Sequence, residues 1–339
     1  MVKEVYEING GGPVNGSIKA LGAKNFATKA MVASVLVEGT TQLLNTPQIG
    51  DISITKEMLN SIGIHTYWDN TGDLFIDASN ISSTNVPLPD SGSNRIPVLL
   101  LSALLNRAGE VYVPTVSGCA IGARPIDFHL DAMKMFGAEV TVDDAGYRAT
   151  RKGRLTACHY KLPYPSVGAT ETCLFLGAMA KGTSIIKNVA MEPEIIALIT
   201  MLNTMGAQID LNLNRELTIR GVSELTSTKF HVIGDRIEAA SWAALAPATE
   251  GQITVEGIDP STLINFFGTF NLVGGGVRIE DRDIITFFRK EPLSCGVIET
   301  DVYPGFATDW QQPFALLLSQ ADGVSIVHDT VYEQRFGYL

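Results

Sequence analysis

A helix-and-strand pattern that recurs about every 70 residues restricts the fold of this 339-residue chain more than any other feature. Each copy opens with an apolar, helix-like segment, closes it with a glycine and continues as a short run rich in β-branched residues. The closing glycines lie 70, 73, 69 and 72 residues apart, at Gly39, Gly109, Gly182, Gly251 and Gly323. Glycine commonly ends a helix, and repeats of this length indicate stacked supersecondary units.

The helix-like segments that open the copies cover residues 24–38, 95–108, 168–181, 236–250 and 309–322. In four copies a second amphipathic segment follows and also ends at a glycine, namely Gly63, Gly137, Gly206 or Gly274. Strand-like residues come after each of these glycines. The order of helix, strand, helix and strand predicts an α/β fold built from repeated units.

The two ends of the sequence do not match a complete copy. Residues 331–339 are typical of the opening turn of a second helix, with no closing glycine or strand after them. Residues 6–11 and 16–20 are strand-like and precede the first helix without a helix of their own. From this pattern we expect a chain that stops inside its fifth unit.

Composition excludes several classes of function. The net charge of −11 and the pI of about 4.9 are unfavourable for a general nucleic-acid surface. The most apolar stretch, residues 96–105, is too short to cross a bilayer, and residues 1–6 do not resemble a signal peptide. Four cysteines without a CxxC pair predict a reducing cytoplasm, and no His/Cys cluster has the spacing of metal ligands.

The stretch richest in reactive groups holds a thiol, a guanidinium, a carboxylate and an imidazole within eleven residues: Cys119, Arg124, Asp127 and His129. Glycines on both sides of the cysteine predict a loop, and the proline after the arginine suits the first turn of a helix. A cation and a helix start near a thiol favour proton transfer or nucleophilic attack. A buried structural cysteine beside a surface arginine is the alternative.

This stretch occurs together with other short motifs: Gly22–Asn25, Gly118–Pro125, Ser166–Thr170, Glu192–Ile195, Asp235–Glu238, Thr308–Asp309 and Glu333–Phe336. In this combination the whole chain resembles the UDP-N-acetylglucosamine 1-carboxyvinyltransferase family, the enolpyruvyl transferases of early peptidoglycan synthesis. It is similar, more distantly, to enolpyruvylshikimate-phosphate synthase. The resemblance implies a two-domain inside-out α/β barrel of six repeated units, three per domain, with the substrate cleft between the domains.

The resemblance also implies where the domains divide. We expect residues 24–233 to form the first domain, and residues 1–23 with 234–339 to form the second. Because five unit starts are visible, we expect the sixth unit to be missing, together with two arginines that close on the substrate in the family. A truncated homologue that binds ligand without catalysis is therefore an alternative to an active enzyme.

By resemblance, the partners are phosphoenolpyruvate and a uridine nucleotide sugar, and the reaction needs no metal or redox cofactor. Cys119 is then the general acid that protonates the methylene carbon of phosphoenolpyruvate, and the position that fosfomycin-like epoxides alkylate. Asp309 takes the proton from the attacking sugar hydroxyl. Lys24 holds phosphoenolpyruvate, and Asn25 contacts both substrates.

The substrate-binding residues implied by the resemblance are Asn25, Arg95, Arg124, Asp127, His129, Ser166, Val167, Gly168, Val331 and Arg335. The guanidinium groups of Arg95 and Arg124 suit phosphate or carboxylate. Asp127 and His129 match positions at the uridine end of the pocket. Residues 166–168 begin a helix whose N–H groups suit a diphosphate.

Val331 and Arg335 match positions that line the cleft. Beyond the two substrates we expect no nucleic-acid and no membrane partner, and the sequence leaves a homo-oligomer open.

Simpler interpretations stay open for individual residues. Lys24 could be a solvated lysine, and Arg95 a surface arginine at a helix end. Ser166 could act only as a helix N-cap, and Asp309 only as an N-terminal helix charge. No composition argument separates these interpretations from the functional ones.

One departure from the family pattern bears on the acceptor. The family often has a lysine two residues before the Ser-Val-Gly motif, and this chain has Tyr164 there, followed by Pro165. One cation fewer near a diphosphate admits a nucleoside monophosphate such as UMP. Enolpyruvyl transferases of peptidyl-nucleoside antibiotic pathways also resemble this chain, so UMP is the alternative acceptor.

Overall fold

The computed structural model of the protein describes residues 5–92, 94–115 and 126–339, which form two compact units. In this part of the chain the smaller unit comprises residues 5–20, 234–301 and 305–331. The larger unit comprises the described residues of 21–233, with 302–304 and 332–339. The domain division given by the sequence stays a prediction.

Helices recur along both units. The α-helices are α1 (Lys24–Ser34), α2 (Gly50–Ser61), α3 (Ile96–Ala108), α4 (Asp127–Met135), α5 (Val167–Ala178), α6 (Pro193–Thr204), α7 (Arg236–Ala248), α8 (Ile264–Leu272) and α9 (Gln311–Leu318). Short 3₁₀ helices span Pro260–Leu263 and Thr308–Trp310.

Short strands lie between these helices. They are β1 (Asn15–Lys19), β2 (Thr40–Leu44), β3 (His65–Trp68), β4 (Leu74–Asp77), β5 (Glu110–Pro114), β6 (Glu139–Val142), β7 (Gly146–Thr150), β8 (His159–Lys161), β9 (Thr183–Lys187), β10 (Gln208–Asn212), β11 (Glu216–Arg220), β12 (Lys229–His231), β13 (Gln252–Glu256), β14 (Gly275–Asp281), β15 (Ile284–Arg289), β16 (Val297–Glu299) and β17 (Ile326–His328).

Successive repeats build the same kind of sheet. In the first repeat β2, which follows α1, pairs antiparallel with β4, and β4 pairs antiparallel with β3. The same order recurs as β5-β7-β6, β9-β11-β10 and β13-β15-β14. The α/β class and the repeated unit predicted from the sequence are therefore confirmed.

Parallel strands from elsewhere in the chain extend these sheets. β12 pairs with β2, β8 with β9, and β1 with β13. Gly251 lies between α7 and β13, and a Cβ at this position would come within 2.0 Å of the carbonyl oxygen of Val14. The glycine therefore leaves room for the N-terminal strand to pair at the start of the fourth repeat.

The ends of several predicted elements differ from the structure. The predicted strand at residues 6–11 is wrong, because residues 5–11 are exposed and form no strand. Three successive glycines at positions 10–12 disfavour an extended, paired conformation there. Four of the opening helices, α1, α5, α7 and α9, end before their predicted bounds, whereas α3 ends at Ala108, as predicted. Residues 333–338 form turns.

The first helices of the repeats form the core of the larger unit. α1 contacts α3, and α3 contacts α5. Residues 96–106 of α3 are all buried, as expected for a helix that is apolar on every side. In the described residues no helix is long and apolar enough to cross a membrane. The starts of α1, α3 and α5 are thus held by a packed interior.

The smaller unit has a separate core. α7 contributes a buried face of alanines that packs against β15 and α9. Around it lie large buried aromatic side chains: Phe266, Phe270, Phe287, Phe306, Trp310 and Phe314. Phe306 and Phe314 cross at 83° with ring centres 5.3 Å apart, an edge-to-face geometry that aromatic pairs favour. This core supports the short helix that carries Asp309.

Candidate active site

The predicted site residues of the larger unit lie at the starts of helices. Lys24 is the first residue of α1, Arg95 is the N-cap of α3, Asp127 is the first residue of α4, and Ser166 is the N-cap of α5. The first N–H groups of a helix have no intrahelical acceptor, and the helix dipole is positive at this end. These four starts are therefore suited to anionic groups.

Two of the predicted cations are linked through the start of α2. The Nζ atom of Lys24 lies 3.8 Å from Oδ2 of Asp51, in a pair whose side chains are 48% and 39% exposed. Asn94 donates from Nδ2 to the backbone oxygen of Asp51 at 3.4 Å and accepts from the N–H of Ile96 at 3.1 Å. Asn94 thereby fixes the turn that holds Arg95 beside the segment that pairs with Lys24. We call Lys24, Asp51, Asn94 and Arg95 the Lys24 cluster.

Asn25 follows Lys24 in the first turn of α1 and is half-buried. The start of this helix is anchored by a hydrogen bond of 2.7 Å from the N–H of Ala23 to the carbonyl oxygen of Ile233. Just before it, a Cβ on Gly22 would come within 1.9 Å of the backbone oxygen of Asn45. The glycine in the Gly22–Asn25 motif is therefore required by close packing of the backbone.

A second group forms where α4 meets α5. His129 is 8% exposed, and its Nδ1 atom lies 2.8 Å from the hydroxyl oxygen of the fully buried Thr172. A Cβ added to Gly168 would lie 2.9 Å from Cε1 and 3.0 Å from Nε2 of His129. The imidazole edge therefore lies against the second residue of α5, and Gly168 permits this approach.

Ser166 is the N-cap of α5. Its hydroxyl accepts a hydrogen bond of 3.3 Å from the N–H of Ala169, and its carbonyl accepts one of 2.8 Å from the hydroxyl of Thr170. Val167 and Gly168 come next, and their N–H groups have no intrahelical acceptor because they belong to the first turn. The structure thus brings His129 and Ser166–Gly168 together, while Asp127 is exposed at the first position of α4.

A buried carboxyl group lies one turn further along α5. Glu171 is 2% exposed, and burial raises its pKa from 4.5 to about 7. Lys29 on α1 opposes this rise, whereas Glu192 and Glu194 at the start of α6 add to it. The helix that carries the candidate nucleotide-binding residues therefore holds a carboxyl group that changes charge near neutral pH.

Asp309 lies in the smaller unit, in the 3₁₀ helix Thr308–Trp310, and is half-buried. The residues around it are tied to Asp329. The hydroxyl of Thr308 donates to Oδ2 of Asp329 at 2.6 Å, and Nε2 of Gln311 donates to the same oxygen. Asp329 therefore holds the short helix on both sides of Asp309.

The other carboxylate oxygen of Asp329 is also an acceptor. The hydroxyl of Thr300 donates to Oδ1 at 3.0 Å, and the N–H of Val331 donates to it at 2.7 Å. Val331 is one of the predicted cleft residues, so a single carboxylate connects it with the helix of Asp309. We call Thr300, Thr308, Gln311, Asp329 and Val331 the Asp329 network.

Arg335 belongs to the larger unit. The carbon at the centre of its guanidinium lies 5.5 Å from the ring centre of Tyr332, a distance at which a cation and an aromatic face attract each other. The predicted residues Val331 and Arg335 are therefore divided between the two units.

Two predicted residues, Cys119 and Arg124, lie outside the described residues. The described cysteines differ in environment, because Cys158 and Cys173 are buried and Cys295 is exposed. Burial raises the pKa of Cys158 to about 11 and raises the pKa of Cys173 further, so both stay protonated thiols at neutral pH. Within the described residues no group of three or more His, Cys, Asp or Glu side chains could hold a metal ion.

The sequence interpretation missed Asp51, Asn94, Thr172 and Asp329, all of which support predicted site residues. Asp51, Thr172 and Asp329 each support a residue that is distant in the chain, so no local motif marks them, whereas Asn94 also bonds locally to the N–H of Ile96. Glu171 was also missed, although a signal was present: it is the one charged residue in the apolar helix Val167–Ala178. A charge in a helix that is apolar on every side indicates a buried ionisable group.

Comparison with known proteins identifies relatives along nearly the whole chain. The model of the family described as EPSP synthase (3-phosphoshikimate 1-carboxyvinyltransferase) matches residues 8–338. UDP-N-acetylglucosamine 1-carboxyvinyltransferase of Protochlamydia amoebophila is 43% identical, over 99% of this chain and 73% of its own length. The enzyme of the same name from Chlamydia pneumoniae is 45% identical, over 99% of this chain and 74% of its own length.

Among solved structures, the chain is similar to the enolpyruvyl transferase NikO from Streptomyces tendae. The TM-score is 0.86 and the sequence identity 24%, over 98% of this chain and 78% of that protein. At this identity the likeness concerns the fold, and it agrees with the mixed α/β architecture described above.

Proposed function

We propose that this chain, which belongs to the EPSP synthase family, is an enolpyruvyl transferase. It transfers the enolpyruvyl group of phosphoenolpyruvate to a hydroxyl of UDP-N-acetylglucosamine and releases phosphate. The observation that carries this proposal is the identity of 43–45% to enzymes named for that acceptor, over 99% of the chain. The product would be a precursor of peptidoglycan. The partners are accordingly phosphoenolpyruvate and a uridine nucleotide sugar, and the cysteine pattern supports a cytoplasmic location.

The proposed chemistry consists of addition and elimination. Cys119 delivers a proton to the methylene carbon of phosphoenolpyruvate, which makes C2 electrophilic. The sugar hydroxyl attacks C2 while Asp309 takes its proton, giving a tetrahedral phospho-ketal. Phosphate then leaves with the proton held by Asp309, and the new methyl group returns a proton to the thiolate of Cys119, which restores the double bond as an enolpyruvyl ether. The assignment of Cys119 is supported by the sequence alone.

The Lys24 cluster is proposed to bind phosphoenolpyruvate. Lys24 and Arg95 supply cations, Arg124 is proposed to add a third, and Asn25 adds an amide in the first turn of α1. The ion pair with Asp51 keeps the ammonium group of Lys24 at the start of the helix until an anion replaces the carboxylate. Exposed pairs of this kind contribute about 0.2–1 kcal/mol, so a doubly charged phosphate displaces Asp51 readily.

The group at α4 and α5 is proposed to bind the uridine nucleotide. Asp127 and His129 would contact the uridine end, and residues 166–168 the diphosphate. The contact between His129 and Gly168 supports this proposal because it places an imidazole nitrogen beside the first N–H groups of α5. Val331 and Arg335 are proposed to contact the substrates as well.

The finer architecture is proposed to be the two-domain inside-out α/β barrel, with residues 24–233 in one domain and residues 1–23 with 234–339 in the other. The same sheet order in successive repeats supports this arrangement. Five of the six barrel units would then begin within these 339 residues.

A nucleotide such as UMP is the second candidate acceptor, favoured by Tyr164. This residue stands two positions before Ser166, and its carbonyl oxygen accepts a hydrogen bond of 2.7 Å from the N–H of Ser166. A tyrosine there supplies no positive charge for a second phosphate, which suits a monophosphate better than a diphosphate.

Phosphate release separates these possibilities. Purified protein is incubated with phosphoenolpyruvate and either UDP-N-acetylglucosamine, UMP or no acceptor, in parallel with the Cys119→Ser variant. We expect release only with UDP-N-acetylglucosamine, and its loss in the variant. Phosphate release with UMP alone would identify UMP as the acceptor in place of UDP-N-acetylglucosamine. No release from folded protein that still binds the nucleotide sugar would favour a non-catalytic binder.

A further inference from the structure

The contact between Thr172 and His129 bears on which nitrogen of the imidazole carries the proton. Thr172 is completely buried, and its hydroxyl lies 2.8 Å from Nδ1 of His129. Within residues 5–92, 94–115 and 126–339, this hydroxyl forms its hydrogen bond with Nδ1 of His129. A buried hydroxyl that donates no hydrogen bond is an unsatisfied donor. It destabilises the folded protein by the free energy of desolvating that group.

The donor and acceptor of this hydrogen bond follow from that cost. If Nδ1 carried the ring proton, it would donate to the threonine oxygen and the hydroxyl proton would have to find another acceptor. If Nδ1 is unprotonated, the hydroxyl donates to it and both buried groups are satisfied. The neutral imidazole then carries its proton on Nε2.

The position of Nε2 gives this tautomer a consequence. A Cβ on Gly168 would lie 3.0 Å from Nε2, so this nitrogen lies against the second residue of α5. The N–H groups of Val167 and Gly168 at the same place have no intrahelical acceptor. A protonated Nε2 adds a third donor to this group, whereas an unprotonated Nε2 would present a lone pair to any ligand oxygen bound there.

We propose that Thr172 is a positioning residue that holds His129 in the Nε2–H tautomer, so that the ring donates a hydrogen bond to an oxygen of the uridine nucleotide beside the start of α5. The tautomer is a property of the protein alone, whereas its effect on the nucleotide rests on the proposed function. Thr172 itself does not contact the substrate in this account.

Nitrogen NMR tests the tautomer without any assay of activity. Protein labelled with ¹⁵N-histidine contains five histidines, and the signals of His129 are identified by their loss in His129→Gln. At a pH where the ring is neutral, we expect Nδ1 to give the signal of an unprotonated nitrogen and Nε2 that of a protonated one. The opposite assignment in the wild-type protein would overturn the proposal.

Two substitutions at position 172 test the role of the hydroxyl. Thr172→Val removes it and keeps the branched shape, and Thr172→Ser keeps the hydroxyl as the matched control. We expect a mixture of tautomers and a KM for UDP-N-acetylglucosamine about 3- to 10-fold higher in the valine variant, with kcat nearly unchanged, as for loss of one hydrogen bond. The serine variant should retain both the tautomer and the KM.

The outcomes distinguish this proposal from the proposed function. An unchanged tautomer in Thr172→Val would overturn the positioning role, whatever the kinetics. A changed tautomer with an unchanged KM would overturn the link to the nucleotide. If the wild-type protein transfers no enolpyruvyl group, the proposed function fails, while the tautomer experiment still decides how Thr172 and His129 share their proton.

Discussion

The two units position their candidate site residues differently. In the larger unit the buried Thr172 bonds to His129, whereas in the smaller unit the half-buried carboxylate of Asp329 accepts several hydrogen bonds around Asp309. The imidazole of His129 bonds through Nδ1 to the hydroxyl of Thr172 inside a packed interior. The helix of Asp309 depends on the Asp329 network, in which four donors share two oxygens. A change in the first region should act through packing and protonation, and a change in the second should act through the loss of a shared acceptor.

Glu171→Gln should have the largest effect and tests the buried region. Because burial raises the pKa of Glu171 from 4.5 to about 7, the folded protein holds this proton more tightly than the unfolded chain. The resulting stabilisation is complete below pH 4.5 and is lost as the pH rises through 7, by about 3 kcal/mol. We therefore expect the variant to be more stable than the wild type at pH 8 and similar to it at pH 4.5.

Urea denaturation at the two pH values measures this difference. Glu224→Gln, at an exposed position, is the matched control and should change stability little at either pH. Lower stability of Glu171→Gln at pH 8 would contradict the account, because it would mean that an ionised Glu171 is stabilised by Lys29.

Asp329→Asn tests the polar region. The amide nitrogen of asparagine cannot accept the hydrogen bonds that one carboxylate oxygen now receives, so the short helix of Asp309 should lose its fixed position. We expect kcat to fall about 10- to 100-fold with little change in the KM of either substrate, as for a small misplacement of a catalytic group. Steady-state kinetics measure both, with the exposed Asp322→Asn as control. An unchanged kcat would mean that the Asp329 network does not position Asp309 for the reaction.

Gly168→Ala tests the close approach in the buried region. The added Cβ would lie 2.9 Å from the imidazole, so the ring must move by a few tenths of an ångström. We expect the Kd for UDP-N-acetylglucosamine to rise about tenfold, since the displaced imidazole would lose a hydrogen bond to the nucleotide worth about 0.5–1.5 kcal/mol. Calorimetric titration measures this, and Gly268→Ala, a helical position with open space around it, is the matched control. Unchanged binding would mean that His129 takes no part in holding the nucleotide.

Asp51→Asn should have the smallest effect and concerns the exposed ion pair of the Lys24 cluster. Removing the carboxylate leaves the ammonium group of Lys24 available to phosphoenolpyruvate. We expect the KM for phosphoenolpyruvate to fall about 1.4- to 5-fold, the range expected for an exposed pair. Asp131→Asn removes a comparable exposed pair with Lys134 and serves as the control. A higher KM would show that Asp51 helps to bind the substrate instead of competing with it.

The repeated pattern of the sequence predicted most of the fold because it depends on local signals. Glycine after an apolar segment and β-branched runs after the glycine identify each helix and strand where they occur in the chain. The ends of α1, α5, α7 and α9 were less accurate, since helix ends depend on packing, whereas α3 ends at Ala108 as predicted. The predicted strand at 6–11 was wrong because the glycines at positions 10–12 outweigh a weak β pattern.

The site could be predicted only in part, for a related reason. Ser166 as an N-cap and Lys24 at a helix start follow from short motifs. The contacts of His129 with Thr172, and of Thr308 with Asp329, join residues 43 and 21 positions apart, and no periodicity predicts which pairs meet. Glu171 is an intermediate case. The sequence shows that it is the one charged residue of an apolar helix, but not which charged residues of other helices lie near it.

The product of the reaction decides whether the protein transfers an enolpyruvyl group to UDP-N-acetylglucosamine. Wild-type protein is incubated with phosphoenolpyruvate and UDP-N-acetylglucosamine, and the nucleotide sugar is analysed by mass spectrometry while phosphate is measured in the same sample. We expect a nucleotide sugar that carries one added enolpyruvyl group, with one phosphate released for each product formed. An unmodified nucleotide sugar, from folded protein that binds both substrates, would contradict it.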